Sequence, residues 1–100
     1  MELNGINLDE TRLGEFCRRN GIVRLRAFGS VLRGDFGPQS DIDLLADFDS
    51  ARRVSLFDLG GMLMDLRTLL GREVDLRTPE DLSTHFRDQV VHDAMTLYVR

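Results

Sequence analysis

Lysine is absent from this chain, and all thirteen basic residues are arginine. A glycine-rich phosphate loop built around a lysine ammonium is therefore excluded, and any side-chain contact to phosphate must come from a guanidinium. Cysteine is nearly absent as well. Cys17 stands alone, which rules out an internal disulfide or a cysteine-rich zinc site and fits a reducing, cytoplasmic setting. Long apolar runs are missing, and the opening MELNGINLDE has neither a basic nor a hydrophobic signal region, so no signal peptide or membrane span is expected. Cations are outnumbered: the net charge is −4 and the pI about 5.0. That balance argues against a broad nucleic-acid footprint, because phosphate-driven affinity needs clustered positive charge.

What remains is an ordinary globular composition, 42% hydrophobic and 30% charged over 100 residues, which predicts one domain over residues 1–100. A domain of this size hides only about two-thirds of its unfolded surface, enough for one core and one open site. A partner is expected to supply part of any acceptor site.

Asn7 followed by Glu10 predicts a capped first helix carrying Leu13, Phe16 and Cys17, stopped by Asn20-Gly21. Ile22 to Phe28 alternates, with Val23, Leu25 and Ala27 on one side and Arg24, Arg26 and Phe28 on the other, as a strand does. Gly34 to Ser40 is irregular, and a second strand follows through Phe48. Ser55 caps a long helix whose Leu56, Leu59, Leu63, Leu66 and Leu70 recur at helical spacing, widened by Met62 and Leu69 and ended by Gly71. Glu73–Leu76 reads as a short strand, Thr78-Pro79-Glu80-Asp81 as a helix start, and Thr96–Val99 as an edge strand. The order predicts an α/β (α+β) domain, a small mixed sheet with helices packed on it.

The chemistry lies in Gly29-Ser30-Val31-Leu32-Arg33-Gly34, then five residues, then Ser40-Asp41-Ile42-Asp43-Leu44. Gly29 at a strand end lets the backbone approach a ligand, and Ser30 offers a hydroxyl and an N–H where a short helix starts, which suits phosphate oxygens. Asp41 and Asp43, two apart on the expected strand, leave the same face about 6–7 Å apart along the backbone. Carboxylates so placed raise each other's pKa unless a cation lies between them, and hard oxygen ligands select Mg²⁺ or Mn²⁺. Asp75 interrupts its own short strand in the same way. Paired strands would bring three carboxylates onto one patch, able to hold two ions about 3.5–4 Å apart.

The spacing G-S-x₃-G-x₅-S-D-x-D-L from Gly29 to Leu44 resembles the motif of the DNA polymerase beta-like nucleotidyltransferase superfamily, and the short chain resembles its minimal nucleotidyltransferase branch. The specific part covers about sixteen residues plus Asp75. The resemblance implies a nucleotidyltransferase fold, with Gly29 and Ser30 binding the triphosphate of ATP, Asp41 and Asp43 ligating metal, and Asp75 as third catalytic carboxylate. Arg33 and Gly34 complete a pattern typical of that branch, with Arg33 placed to steady a β- or γ-phosphate and Ser40 beside it. Many members pair with a small helical HEPN protein, a ribonuclease-type toxin, and act as antitoxins that transfer AMP from ATP onto it.

Plainer roles compete at several positions. Arg33 could pair with Asp35, Asp75 with Arg72 or Arg77, and Ser40 could brace the turn before Asp41. His85 and His92, seven apart on the expected last helix, read as a solvated face rather than a metal site, and Cys17 as a small core residue. Two other functions remain: a non-catalytic antitoxin that blocks its toxin sterically, and a nucleotidyltransferase acting on a small molecule. The last would need residues for an acceptor domain that this chain lacks.

Overall fold

The computed structural model describes residues 1–100. A hairpin of β1 (Glu2–Leu3) and β2 (Ile6–Asn7) leads into α1 (Glu10–Arg19), followed by β3 (Ile22–Phe28), a 3-10 turn (Gly29–Leu32) and β4 (Ile42–Phe48). Then come α2 (Leu56–Leu70), β5 (Val74–Arg77), a second 3-10 turn (Pro79–Asp81), α3 (Arg87–Asp93) and β6 (Met95–Val99). The main sheet runs β5-β4-β3-β6. β3 is antiparallel to both β4 and β6, while β4 and β5 are parallel and joined through α2. This is the small mixed sheet with packed helices that the sequence predicts.

The opening hairpin was not anticipated, and its turn explains why. Asn4 and Gly5 both adopt positive φ, 48° and 86°, which suits a tight two-residue connection. Asn7 consequently lies in β2 and caps nothing. Asp9 caps α1 instead, its carboxylate accepting from the Arg12 N–H at 3.1 Å. At the other end Asn20 and Gly21 stop the helix as expected, Gly21 at φ 70°.

One face of the sheet carries the core. Leu13, Phe16 and Cys17 of α1, Leu25 and Ala27 of β3, Ile42, Leu44 and Ala46 of β4, and Met62, Leu66 and Leu70 of α2 are buried together, joined by Leu3, Ile6 and Leu8 of the hairpin. Burial holds the Cys17 thiol up at about 12, against a smaller opposing pull from Arg18, so it is an apolar filler and not a nucleophile. Leu66→Ala should cost about 2–5 kcal/mol in urea denaturation, since Leu66 is fully buried and the small domain has little room to collapse around the loss.

Three expectations about elements need correcting. The α2 stripe does not begin at Leu56, which is 85% exposed; contact with the core starts at Leu59, after the Ser55–Asp58 capping box. A bulge between Ile22 and Arg24 shifts the pattern at the start of β3, so Ile22 and not Val23 joins the core with Leu25 and Ala27; Arg26 keeps its expected place on the opposite face, where it is buried, only 6% exposed. Its guanidinium meets Asp47 at 2.8 Å across the strand pair. Finally, Thr78-Pro79 starts only a single 3-10 turn, and α3 waits until Arg87. The cause lies in Arg87 itself, whose guanidinium takes the carbonyls of Pro79, Glu80 and Leu82, the acceptors a continuing helix would need. His85 therefore sits in the turn before α3, and it and the exposed His92 share no helix face.

Candidate active site

The site forms where β3 ends and β4 and β5 begin. Parallel pairing sets Ile42 opposite Val74 and Asp43 opposite Asp75, while β3 sets Phe28 opposite Asp43. Asp41 lies one residue before β4 and not within it; the Ile42 N–H donates to the Glu73 carbonyl at 2.9 Å and fixes where the strand begins. Side chains alternate along β4, so Asp43 points away from the core that buries Ile42 and Leu44.

Electrostatics ties the three acids together. Asp43 is half-buried, and its carboxyl is pushed above the usual carboxylate range, first by burial and next by the negative charge of Asp75, with Asp41 adding to it. Arg77 and Arg33 pull the other way. The three carboxylates do not close into a ready-made metal cage. Asp75 instead accepts from the Arg77 Nε at 3.0 Å, one of the two arginines the sequence offered it. Like charges crowded without a cation between them repel, and a guanidinium relieves part of that strain.

Beside them, Gly29 turns the chain with φ 74°. A Cβ here would collide with Asp43 Oδ2, so the glycine serves both the backbone conformation and the space its neighbour needs. Ser30 follows within the 3-10 turn, and Val31 anchors that turn in the core. Arg33 is exposed and pairs with Asp35 at 3.1 Å, and a side chain added at Gly34 would project into open space. Ser40 is a brace: its hydroxyl accepts from the Gly37 N–H at 3.1 Å.

Two supporting residues escaped the sequence. Asn4, at the hairpin tip, donates through Nδ2 to the carbonyls of Val31 and Arg33 at 3.1 and 2.9 Å, holding the glycine–serine corner from outside. Arg72 clamps the 34–40 loop: Nη2 donates to the Gly37 and Ser40 carbonyls at 2.6 and 2.7 Å, and the guanidinium stacks over Phe36 at 4.5 Å. Neither had a signal in local spacing, since each reaches more than 25 residues along the chain. Arg72→Ala should cost about 1–3 kcal/mol by leaving two carbonyls short of a charged donor. Hydrogen exchange at Ser40 and Ile42 should accelerate, and Arg72→Lys should restore little, lacking the planar fork.

Residues 10–97 match the family model described as a nucleotidyltransferase domain. The chain belongs to that family. As a minimal nucleotidyltransferase of the DNA polymerase beta-like superfamily, it is 32% identical over 90 residues to a Methanocaldococcus jannaschii protein named for protein adenylyltransferase activity, covering 90% of this chain and 95% of that one. A solved minimal nucleotidyltransferase superposes with TM-score 0.70 at 40% identity, covering 86% of this chain and 85% of the other. A toxin–antitoxin structure holding AMP-PNP superposes with TM-score 0.71 at 25% identity, covering 93% and 75%. The nucleotidyltransferase fold expected from Gly29 to Leu44 is thus the fold observed. No helix is long and apolar enough to cross a membrane.

Proposed function

We propose that residues 1–100 act as one unit that transfers AMP from ATP to a protein acceptor, a HEPN-type toxin that it thereby neutralises, with release of pyrophosphate. The observation that carries this reading is the register of Asp43 against Asp75 beside the Gly29 corner. Kinship with proteins named for protein adenylyltransferase activity and with a toxin–antitoxin structure holding an ATP analogue supports this class of donor and acceptor.

In this reading Asp41, Asp43 and Asp75 hold Mg²⁺, and the donor set fits it. The carboxylates are hard oxygen ligands, and the raised Asp43 marks a spot where negative charge is in excess and a divalent cation would be stabilised. Bound there, metal ions supply charge neutralisation for the triphosphate and for the attacking oxygen. The chain's own residues do the rest. Gly29 and Ser30 receive the phosphates at the first 3-10 turn, Arg33 exchanges Asp35 for a phosphate oxygen, Gly34 keeps the loop open, and Ser40 holds the turn that delivers Asp41. Arg77 is the partner that Asp75 would release in order to hold a metal ion. The setting is the cytosol, in keeping with a lone buried thiol.

The test is direct. The chain, labelled ATP, Mg²⁺ and a HEPN partner are incubated together, and label should appear on the partner and disappear with Asp41→Asn. A folded, ATP-binding preparation that labels nothing would sink the reading. Neutralisation that persists in the Asp41→Asn variant would move the chain to the steric class.

A further inference from the structure

A second feature adjoins the glycine–serine corner. A cavity of about 380 Å³ opens there, sharing Gly29 and Arg33 with the motif and walled by the half-buried Phe28, Leu32 and Val90. Its volume falls within the roughly 300–1,000 Å³ typical of small-molecule pockets. Two polar side chains of α3, Gln89 and Asp93, stand at its edge. They are bonded to each other: Gln89 Nε2 donates to Asp93 Oδ2 at 2.7 Å.

We infer that this cavity receives the nucleoside of the triphosphate, with Gln89 as the residue that reads the base and Asp93 as the residue that positions Gln89. The inference rests on Gly29 and Ser30 holding the phosphates, because a nucleotide anchored there has the cavity directly alongside. Apolar walls suit the faces of a base. The selective step comes from the amide.

A free glutamine could turn either its oxygen or its nitrogen toward a ligand, and so would tolerate amino and keto bases alike. Here it cannot flip without setting Oε1 against the Asp93 carboxylate, two acceptors with no proton between them. Nε2 is therefore committed toward Asp93, leaving Oε1 to accept and the second Nε2 hydrogen to donate. An exocyclic amine next to an unprotonated ring nitrogen matches that pair, as in the glutamine–adenine contact. Guanine and uracil present a carbonyl and a protonated ring nitrogen, which meet both groups with the wrong sign. Cytosine has the right edge but a single ring, and fills less of the cavity than adenine.

The experiment measures binding of non-hydrolysable ATP, GTP, CTP and UTP analogues and of inorganic tripolyphosphate, all with Mg²⁺, by calorimetry on the full chain. The ATP analogue should bind about 10-fold or more tighter than the GTP and UTP analogues, and tighter than tripolyphosphate. Gln89→Ala and Asp93→Asn, both at exposed positions, should bring the four analogues to within about 3-fold while tripolyphosphate affinity stays put. Val90→Trp, filling the cavity, should weaken every nucleoside triphosphate toward the tripolyphosphate value. Discrimination that survives both α3 variants, or an ATP analogue no tighter than tripolyphosphate, overturns the base assignment and leaves the phosphate site standing. Loss of tripolyphosphate binding in the unaltered chain would remove the phosphate site and this inference together.

Discussion

Gly29→Ala should lower nucleotidyl transfer by about 100-fold or more while the chain still folds. Two effects combine at this position. Alanine at φ 74° carries the left-handed penalty of about 1–2 kcal/mol, a loss a domain of ordinary stability survives. The added methyl also enters the space of Asp43 Oδ2, and the carboxylate, half-buried and not held by any hydrogen bond to the protein, is the partner that must move. Displacing a reacting or ligating group by even about 1 Å can reduce rate by roughly 10²-fold. Steady-state transfer assays beside a thermal melt separate the two consequences. Full activity in the alanine variant would mean that Asp43 does not need the position seen here.

Asp43→Asn should push activity and stability in opposite directions. Transfer should fall by on the order of 10²–10³-fold or more, as when a charge-stabilising group is removed from an active site. Stability of the metal-free protein should rise at neutral pH. The folded-state pKa of Asp43 lies above its ordinary value because burial and the neighbouring Asp75 and Asp41 disfavour its charge. Folding is therefore unpenalised in acid, where the group is protonated in both states, and loses stability as pH rises through the carboxylate range. A permanently neutral asparagine removes that loss, so melting in the presence of chelator should show a gain at neutral pH that vanishes in acid. Equal melting temperatures at neutral pH would show that the crowding is relieved in solution.

The carboxylates and the glycine corner were legible because each depends on short-range order. A strand ending at Phe28, a glycine after it and two acids flanking Ile42 can all be read within sixteen residues. Asp75 was legible only as an acid in a short strand, and its partnership with Asp43 needed the parallel register that α2 creates. The parts that could not be read are those where distant groups decide. Arg87 draws off three carbonyls and stops a helix that Thr78-Pro79 begins. A bulge at the start of β3 brings Ile22 rather than Val23 into the core, and Arg26, on the face the alternation predicts, is buried by its cross-strand pairing with Asp47. Leu56 looks identical to Leu66 in the periodic pattern, yet only the latter faces the sheet. Arg72 and Asn4 support the site through backbone carbonyls, which leave no mark on side-chain spacing.

The buttress supplied by Asn4 lies outside the stretch that defines the family, since the match starts at residue 10. A fragment trimmed to that boundary would retain Asp41, Asp43 and Asp75 yet forfeit the two ties to Val31 and Arg33 and the lining contributed by Leu3, Ile6 and Leu8. Residues 1–8 are in that sense scaffolding for the glycine–serine corner.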